Sequence, residues 1–352
     1  MKLLLPSTLL LLGISLSAQM PGMMSMQAAS SEGTSLGANE TLAYNGIALG
    51  NRVKMRGYVD FIYNYTDIGA SDTADYTTAS DVDFLFDLSP VTAELHLDLD
   101  GSDLLEQAFG RYSFNNNFNI SFGRQLTALG YEADEAPGLY AVTNAYVVSN
   151  EKLLDELKTL TGLPNVGFRR NYVDGMRANF NNGQFGFTFG MHDAYWGVQN
   201  DLNDHFAIDI AASVMILPGL EARIGFAHED HENALADDNI NQFNAWISYN
   251  PGDLTLAFEF DTFDIYGYDL WDIMLLANYQ FADWFGATIR YTHEDLDVLG
   301  VEAEADRITL AMLFTLTDNL FVNFEYSHSD IEVSGGGDLD ADEVNLEALL
   351  TF

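Results

Sequence analysis

Hydrophobic and polar residues alternate with a period of two over the last twelve residues of the chain. The apolar row is Val344, Leu346, Ala348, Leu350 and the C-terminal Phe352. The intervening row is Asn345, Glu347 and Thr351, with Leu349 as the exception. Successive side chains of a strand point to opposite faces, so this segment has one face suited to lipid and one suited to water. The pattern predicts a strand in the wall of a transmembrane β-barrel.

Sixteen segments of this kind follow one another from Val53 to the C-terminus, and barrels of this class usually have an even number of strands. Tilted strands of roughly 9 to 11 residues cross a bilayer, and most of these segments are long enough. The fold class predicted is therefore all-β, a transmembrane antiparallel β-barrel of about 16 strands. The predicted strands cover 53–66, 81–88, 91–99, 104–113, 118–126, 166–180, 184–194, 204–215, 219–229, 240–249, 253–262, 269–280, 284–295, 305–316, 319–330 and 341–352.

Connection lengths alternate along the chain, as expected when short turns lie on one side of a membrane and loops on the other. With both termini in the periplasm, the short turns are periplasmic and the longer, mostly acidic loops are extracellular. A soluble β-sandwich also alternates along its strands and is the competing interpretation, although it does not usually sort its turns this way. The seven short turns are Ser89-Pro90, 115–117, 181–183, 216–219, 250–253, Ala282-Asp283 and 317–319.

Aromatic residues near the ends of predicted strands suggest the two girdles that barrels place at the membrane interfaces. Ordinary sheets also carry such residues, so this signal is weaker than the alternation. The residues concerned are Trp246, Tyr249, Trp271, Tyr279, Phe281, Trp284, Phe285, Phe321 and Phe352.

The N-terminus is typical of a secretory signal peptide over residues 1–18, with Lys2 before an apolar core and a small-residue cleavage site near Ala18. An uncleaved anchor is the alternative, but the apolar run is shorter than a membrane span requires. Residues 19–51 lack periodicity and are expected to form a flexible periplasmic lead-in. Residues 52–352 are expected to form the barrel.

The charge of the chain narrows the function further. Of 352 residues, 53 are acidic and 14 basic, which gives a formal net charge of −39. Binding to nucleic-acid phosphates is excluded on this ground. Carboxylates at a channel mouth concentrate cations, so cation preference is expected. The acidic loops 229–238, 294–306 and 338–343 could also hold the divalent cations that bridge lipopolysaccharide.

Enzymatic activity and bound cofactors are not expected. The chain has no cysteine, which excludes disulfides and thiolate chemistry. His328 lies between Ser327 and Ser329, but adjacent strand residues point to opposite faces and cannot form a catalytic pair. A histidine pair, His228 and His231, is more often solvated than metal-bound. A closed barrel acting as adhesin or structural anchor remains the alternative to a channel.

The predicted third extracellular loop, Thr127 to Asn165, is far longer than the others and includes a helix-like stretch, Asn150 to Thr161. Loops of this length are usually functional. The chain resembles the 16-strand bacterial porins at this point, and is most similar to the OmpL-like outer-membrane porins. The runs that carry the resemblance are Leu105-Glu-Gln-Ala-Phe-Gly-Arg111, Phe122-Gly-Arg-Gln-Leu-Thr-Ala-Leu-Gly-Tyr-Glu132 and Gly190 to Asp204.

The resemblance implies passive diffusion of small hydrophilic solutes through a water-filled lumen, which the third loop narrows by folding inward. It also implies outer-membrane lipid and lipopolysaccharide as surroundings, and allows a homo-oligomer. Ten of the fourteen basic residues lie between Arg52 and Arg177, which fits a basic wall segment facing an acidic loop. Ordinary wall arginines, neutralised by neighbouring acids, are the alternative. The predicted constriction consists of Arg111, Arg124, Arg169, Arg177, Glu132, Asp134 and Glu135.

Overall fold

A computed structural model describes residues 46–69, 71–100, 104–132, 136–147, 171–196, 206–230, 239–265, 268–298, 301–335 and 337–352. The predicted signal peptide and most of the predicted lead-in lie outside the described residues. The helix-like stretch Asn150 to Thr161 also lies outside them. Within the described part of the chain, no helix is long and apolar enough to cross a membrane.

Sixteen long strands form one closed antiparallel barrel, which confirms the predicted fold class. A two-residue strand, β1 (Ile47–Ala48), precedes them and pairs with the first. A 3-10 turn at Ala136–Gly138 lies between β6 and β7. The barrel strands are β2 (Val53–Ile68), β3 (Ser71–Leu88), β4 (Val91–Asp98), β5 (Leu105–Asn115), β6 (Phe118–Leu126), β7 (Tyr172–Asn181), β8 (Phe185–His192), β9 (Ala207–Leu217), β10 (Leu220–Glu229), β11 (Ile240–Tyr249), β12 (Leu254–Ile265), β13 (Tyr268–Ala282), β14 (Phe285–Val298), β15 (Val301–Thr317), β16 (Leu320–Val333) and β17 (Gly337–Thr351).

Each barrel strand pairs with its neighbours in the chain, and the last pairs with the first. Strand β17 meets β2 from Ala341 opposite Ile68 to Thr351 opposite Tyr58. This closure gives every barrel strand a neighbour on each side, so every strand has backbone partners on both sides.

The two rows of each strand differ in exposure as the alternation predicts. On β17, Leu346 and Leu350 are 47% and 44% exposed on the outer row, whereas Glu347 is 2% exposed on the inner row. Leu349, the exception in the sequence pattern, lies on the inner row, where it packs with Tyr58 and Phe321. The outer surface is therefore apolar, as expected of a wall in contact with lipid.

The seven predicted short turns are confirmed, and all lie at one end of the barrel, here called the turn end. The opposite end, here called the loop end, carries the long connection between β6 and β7. Wall height is uneven: β3 has 18 residues and β15 has 17, whereas β4 and β8 have 8 each.

The prediction of long acidic loops at 294–306 and 338–343 is wrong, because the described residues there belong to strands. Most of the third predicted acidic loop, 229–238, lies outside the described residues. Strands β14 and β15 pair up to Val298 opposite Val301, and β17 begins at Gly337. The period of two persists there with its polarity reversed. Outer positions become acidic and inner positions become apolar, such as Leu296 and Ala303. Pairing therefore continues because the inner side chains still have a core to bury against.

The acidic outer positions at the loop end form a band that we call the acidic collar. Aromatic side chains mark its border with the apolar surface. Tyr291 donates a hydrogen bond to Asp306 at 2.5 Å, Tyr326 donates one to Asp342 at 2.6 Å, and the Trp271 indole donates one to Asp295 at 3.0 Å. The collar consists of Asp295, Asp297, Glu302, Glu304, Asp306, Asp330, Glu332, Asp338, Asp340 and Asp342.

The sequence interpretation wrongly assigns two inward-facing residues to the aromatic girdles. Trp246 and Phe321 lie on inner rows and are 2% and 7% exposed. Trp271, Tyr279 and Trp284 are on the outside and are at least 39% exposed, as predicted. Strand-end position alone therefore does not identify a girdle residue, because the row also matters.

The outer row of β17 offers a test of where the lipid-facing band ends. Leu346→Arg places a charge within the apolar band and is expected to lower the free energy of unfolding by about 2–4 kcal/mol. Asp338→Arg, on the same row of the same strand in the acidic collar, is expected to change it by less than about 0.5 kcal/mol. Guanidinium unfolding in phosphocholine vesicles, followed by tryptophan fluorescence, measures both. Equal destabilisation by the two variants would contradict this placement.

Candidate permeation path

Charged side chains line the inner surface of the barrel. Among the described residues, the buried side chains of this surface include fourteen carboxylates and six arginines, and two histidines join them. The carboxylates are Asp60, Asp81, Asp83, Glu94, Asp209, Glu221, Glu229, Glu259, Asp261, Asp272, Glu294, Glu325, Glu343 and Glu347. The basic groups are Arg56, Arg111, Arg177, Arg223, Arg290 and Arg307, with His96 and His192.

The carboxylates surround the path and are not confined to one side. Seven lie on strands β2 to β10 and seven on β12 to β17, while the arginines divide four to two between the same halves. Acidic groups therefore exceed arginines on both halves. Where the sequence suggested a basic wall facing an acidic loop, the described lumen is acidic on both sides and contains individual basic groups.

On strands β2 to β5 the charges form one connected network. Arg56 Nε lies 3.3 Å from Asp83 Oδ2, and Arg111 Nη1 lies 3.3 Å from Glu94 Oε1. His96 joins the two pairs, with Nδ1 at 2.9 Å from Asp83 and Nε2 at 3.3 Å from Glu94. Because each charge has an oppositely charged partner at this spacing, their attraction offsets part of the desolvation cost of burying them.

Residues 127–132 and 136–147, which we call the loop segment, lie against the inner row of the barrel. Carboxylates of the wall accept hydrogen bonds from backbone N–H groups of this segment. Glu259 accepts from Tyr131 N at 2.6 Å, Glu325 from Val142 N at 2.7 Å, and Glu294 from Val147 N at 2.5 Å. Thr143 donates to Glu325 through both its backbone N–H and its hydroxyl.

Arginines of the wall hold carbonyl groups at the start of the same connection. Arg177 Nη2 donates to the carbonyl of Leu126 at 2.9 Å, and Arg223 Nη2 donates to that of Ala128 at 2.8 Å. Side chains of both signs thus bind the peptide backbone, the carboxylates at N–H groups and the arginines at C=O groups.

Arg290 on β14 makes the most extensive contact with the loop segment. Its Nη1 lies 2.8 and 2.9 Å from the two carboxylate oxygens of Glu132, and Nη2 donates to the carbonyls of Thr143 and Asn144 at 2.8 and 2.9 Å. Arg290 is 1% exposed. This one guanidinium therefore joins the two described parts of the loop segment to the wall.

An aromatic cluster reinforces these polar contacts. Tyr131 stacks on Tyr140 with ring centroids 6.1 Å apart and meets Trp246 edge-on at 5.4 Å. Both tyrosines belong to the loop segment, and burial raises the pKa of Tyr131 to about 12. Burial also raises the pKa of Tyr140 well above its ordinary value. Both phenols therefore stay neutral, and Trp246 faces inward because it packs against them.

Three of the seven predicted constriction residues meet the inner surface. Arg111 pairs with Glu94, Arg177 binds the carbonyl of Leu126, and Glu132 pairs with Arg290. Arg169, Asp134 and Glu135 lie outside the described residues. Within the described set, no contact joins Arg111 directly to Glu132.

Arg124 is placed on the outer row, so its assignment to the basic wall needs correction. It lies opposite Ala108 on β5 and Asp174 on β7, and its Nη1 is 3.7 Å from Asp174 Oδ2. Its Nε donates to the carbonyl of Glu106 at 3.0 Å. The inner row of β6 passes instead through Ser121 and Gln125, since alternation assigns Arg124 to the other face.

Several lumen-lining groups were missed because the sequence interpretation searched for bases and for loop acids. Glu259 and Asp261 already stood on the polar row of a clear alternating segment, 254–261. Treating every polar row as a lumen lining would have identified both. No comparable local signal marks Arg290 as the partner of Glu132. Within the described residues, no three Asp, Glu or His side chains converge as a metal site would require.

Comparison with known proteins identifies the barrel type. No protein-family model and no curated protein matches the chain. Among solved structures, the chain is similar to OmpF of Salmonella typhi in complex with daunomycin, with 14% identity, coverage of 86% of this chain and 98% of that one, and a TM-score of 0.62. It is similar to the outer-membrane channel DcaP of Acinetobacter baumannii, with 14% identity, coverage of 88% and 100%, and a TM-score of 0.61.

A third similar structure is the anion-selective porin of Comamonas acidovorans, with 16% identity, coverage of 85% and 99%, and a TM-score of 0.56. At these identities the likeness establishes the fold, which is that of a porin-type barrel. The finer resemblance to the OmpL-like porins is not supported by these structures and stays a prediction.

Removing the Arg290 guanidinium tests its role as the anchor of the loop segment. Arg290→Met leaves Glu132 buried without its cation, and breaking a buried pair in this way costs about 3–5 kcal/mol. We expect faster hydrogen exchange in residues 136–147, because the segment is released locally. Exchange in the β14–β15 hairpin should stay slow.

Arg124→Met provides the matched control, since it removes an arginine that contacts only the outer surface and β5 to β7. Hydrogen-exchange mass spectrometry of both variants and the unsubstituted protein gives the comparison. If Arg290→Met left exchange in 136–147 unchanged, the anchoring role would be refuted.

Proposed function

We propose that this protein is an outer-membrane porin of a Gram-negative-type bacterium that allows passive, cation-preferring diffusion of small hydrophilic solutes. The observation that carries the proposal is the lumen lining, where fourteen carboxylates face six arginines. A lumen with excess negative charge concentrates cations and repels anions. The porin of similar fold from Comamonas acidovorans is named anion-selective, so we expect the two proteins to differ in ion preference.

The outer surface supports the proposed location. Apolar side chains such as Leu310 and Met312, which are 47% and 41% exposed, would be costly in water but are suited to lipid. The acidic collar then stands above the bilayer on the extracellular side. There it could meet lipopolysaccharide, with divalent cations bridging the like charges. OmpT from Vibrio cholerae, a structure of similar fold, has a trimer form, and we propose that this chain also forms a homo-oligomer.

We also propose that the connection between β6 and β7 narrows the lumen. Its described part makes hydrogen bonds with inner-row side chains of five strands, which are Arg223 of β10, Glu259 of β12, Arg290 of β14, Arg307 of β15 and Glu325 of β16. Arg111, Arg177 and Glu132 are the proposed constriction residues within the described part. Arg169, Asp134 and Glu135 are proposed from the sequence alone.

Neutralising lumen carboxylates should weaken cation preference. Asp261 and Asp272 lie directly opposite each other on the inner rows of β12 and β13. The double variant Asp261→Asn, Asp272→Asn removes two negative charges with little change in shape, so the reversal potential under a potassium chloride gradient should move toward zero. Planar-bilayer recording of the refolded protein measures both conductance and reversal potential.

Asp340→Asn, which removes a charge from the acidic collar, serves as the control and should have a much smaller effect. A reversal potential that favours chloride in the unsubstituted protein would contradict cation preference. A correctly inserted barrel that passes no current would refute the porin proposal and favour the adhesin or anchor alternative.

A further inference from the structure

Strand β3 extends far beyond its neighbour β4 at the loop end of the barrel. It pairs with β2 along almost its whole length, from Ser71 to Phe86. It pairs with β4 only from Asp81 to Leu88. We call residues 71–80 of β3 the overhang. Within the described part of the chain, the overhang therefore has a paired strand on one side and an open edge on the other.

The backbone groups of four overhang residues point to this open side. In an antiparallel sheet, alternate residues direct both their N–H and their C=O to the same neighbour. Ser80 is directed to the β4 side, since its carbonyl accepts a hydrogen bond from Leu99 N at 2.9 Å and its N–H donates one to Asp100 Oδ2 at 3.0 Å. At intervals of two from Ser80, the residues with the same direction are Thr78, Tyr76, Ala74 and Asp72. Among the described residues, no backbone partner meets these four on the open side.

The polarity of the overhang places it in water. The outer row of β3 changes from Phe84 and Val82 to Ser80 and Thr78 at the height where β4 ends. The side chains of residues 71–78 are exposed on both faces of the strand. An edge of unpaired N–H and C=O groups is not tolerated in the hydrocarbon region of a bilayer. The open edge therefore lies outside that region, at the rim of the barrel.

The overhang carries none of the features that usually protect an exposed strand edge. Such edges are commonly blocked by lysine, by proline or by a bulge. Residues 71–80 include no lysine, arginine or proline, and the register with β2 continues without a shift. Tyr76 stacks on Phe61 with ring centroids 5.4 Å apart and lies 5.3 Å from the ring of Tyr63, which holds the overhang against β2. The edge is thus ready to pair with one further strand.

The charge around the edge favours a basic strand. Asp72 and Asp75 belong to the overhang, and Asp100 lies at its base, where it also accepts a hydrogen bond from the Ser80 hydroxyl at 2.6 Å. No lysine or arginine occurs in the sequence between Arg56 and Arg111. A second copy of the chain would bring the same carboxylates against these, and like charges on paired strands are destabilising. Lysine or arginine side chains would be attracted.

We propose that the overhang of β3 binds an extended basic segment of another polypeptide as an added β-strand. Backbone hydrogen bonds to Ala74, Tyr76 and Thr78 supply affinity for any extended chain, and the aspartates select basic side chains. This activity goes beyond the proposed diffusion of solutes, because the edge lies at the rim of the barrel and not in the lumen.

The test uses a synthetic eight-residue peptide of alternating lysine and threonine, which has no apolar face to insert into a detergent micelle. Fluorescence anisotropy of the labelled peptide with the refolded full barrel, in an uncharged detergent, measures its Kd. The same peptide N-methylated at its four central residues keeps its charges but loses the N–H groups of both edges, and should bind at least tenfold more weakly. An alternating glutamate and threonine peptide should also bind at least tenfold more weakly. Equal binding of the methylated and unmethylated lysine peptides would overturn the proposal, because charge alone would then explain the affinity.

Ala74→Pro tests the edge from the side of the barrel. It removes an N–H that points away from β2, so the ladder between β2 and β3 is preserved. The Kd of the lysine peptide should rise at least fivefold, whereas Ala74→Val, which keeps the N–H, should leave it within twofold. Hydrogen exchange in residues 71–80 of the unsubstituted barrel should slow when the peptide is added.

Both measurements are independent of conduction, so they stand or fall separately from the porin proposal. Absence of binding by the lysine peptide would overturn the inference. Sedimentation that showed paired barrels without peptide, and single barrels for Ala74→Pro, would assign the edge to a second copy and would also overturn it.

Discussion

The whole structure depends on the need to pair every backbone N–H and C=O group within the wall. A bilayer offers no hydrogen-bond partners, so an open strand edge in lipid would leave a row of unpaired groups at several kcal/mol each. Pairing of β17 with β2 removes the edge and turns a sheet into a barrel. Once the barrel is closed, each strand has one face toward the outside and one toward the lumen, which requires the period of two.

The same period serves two different environments along a single strand. On β15 the outer row runs from Met312, Leu310 and Ile308 to Asp306, Glu304 and Glu302, while the inner row changes from Thr309 and Arg307 to Ala305 and Ala303. The first half faces lipid outside and charged groups inside. The second half faces water outside and a hydrophobic cluster inside. A strand can therefore extend beyond the membrane without a loop, provided that its polarity reverses.

The sequence was sufficient to predict the strands but not the contacts between distant segments. The alternation in the sequence is enough to place Leu346 on the outer face and Asn345 on the inner face, because the direction of a strand side chain depends only on its position along the strand. Arg290 and Glu132 are 158 residues apart, and only the closed barrel brings them together. Arg124 was assigned to the basic wall because the basic residues concentrate between Arg52 and Arg177, but it lies on the outer face beside Asp174. Trp246 was assigned to the interface, although the aromatic side chains of the loop segment provide its inner partner.

The contacts of the loop segment also determine which lumen charges are available to a permeating ion. Glu259, Glu294 and Glu325 each accept a hydrogen bond from a backbone N–H of that segment, so the segment already partly solvates these carboxylates. Carboxylates paired with arginine contribute little net field. The buried carboxylates still outnumber the arginines fourteen to six, so pairing with arginine leaves an excess of negative charge along the path, and an entering cation meets that excess.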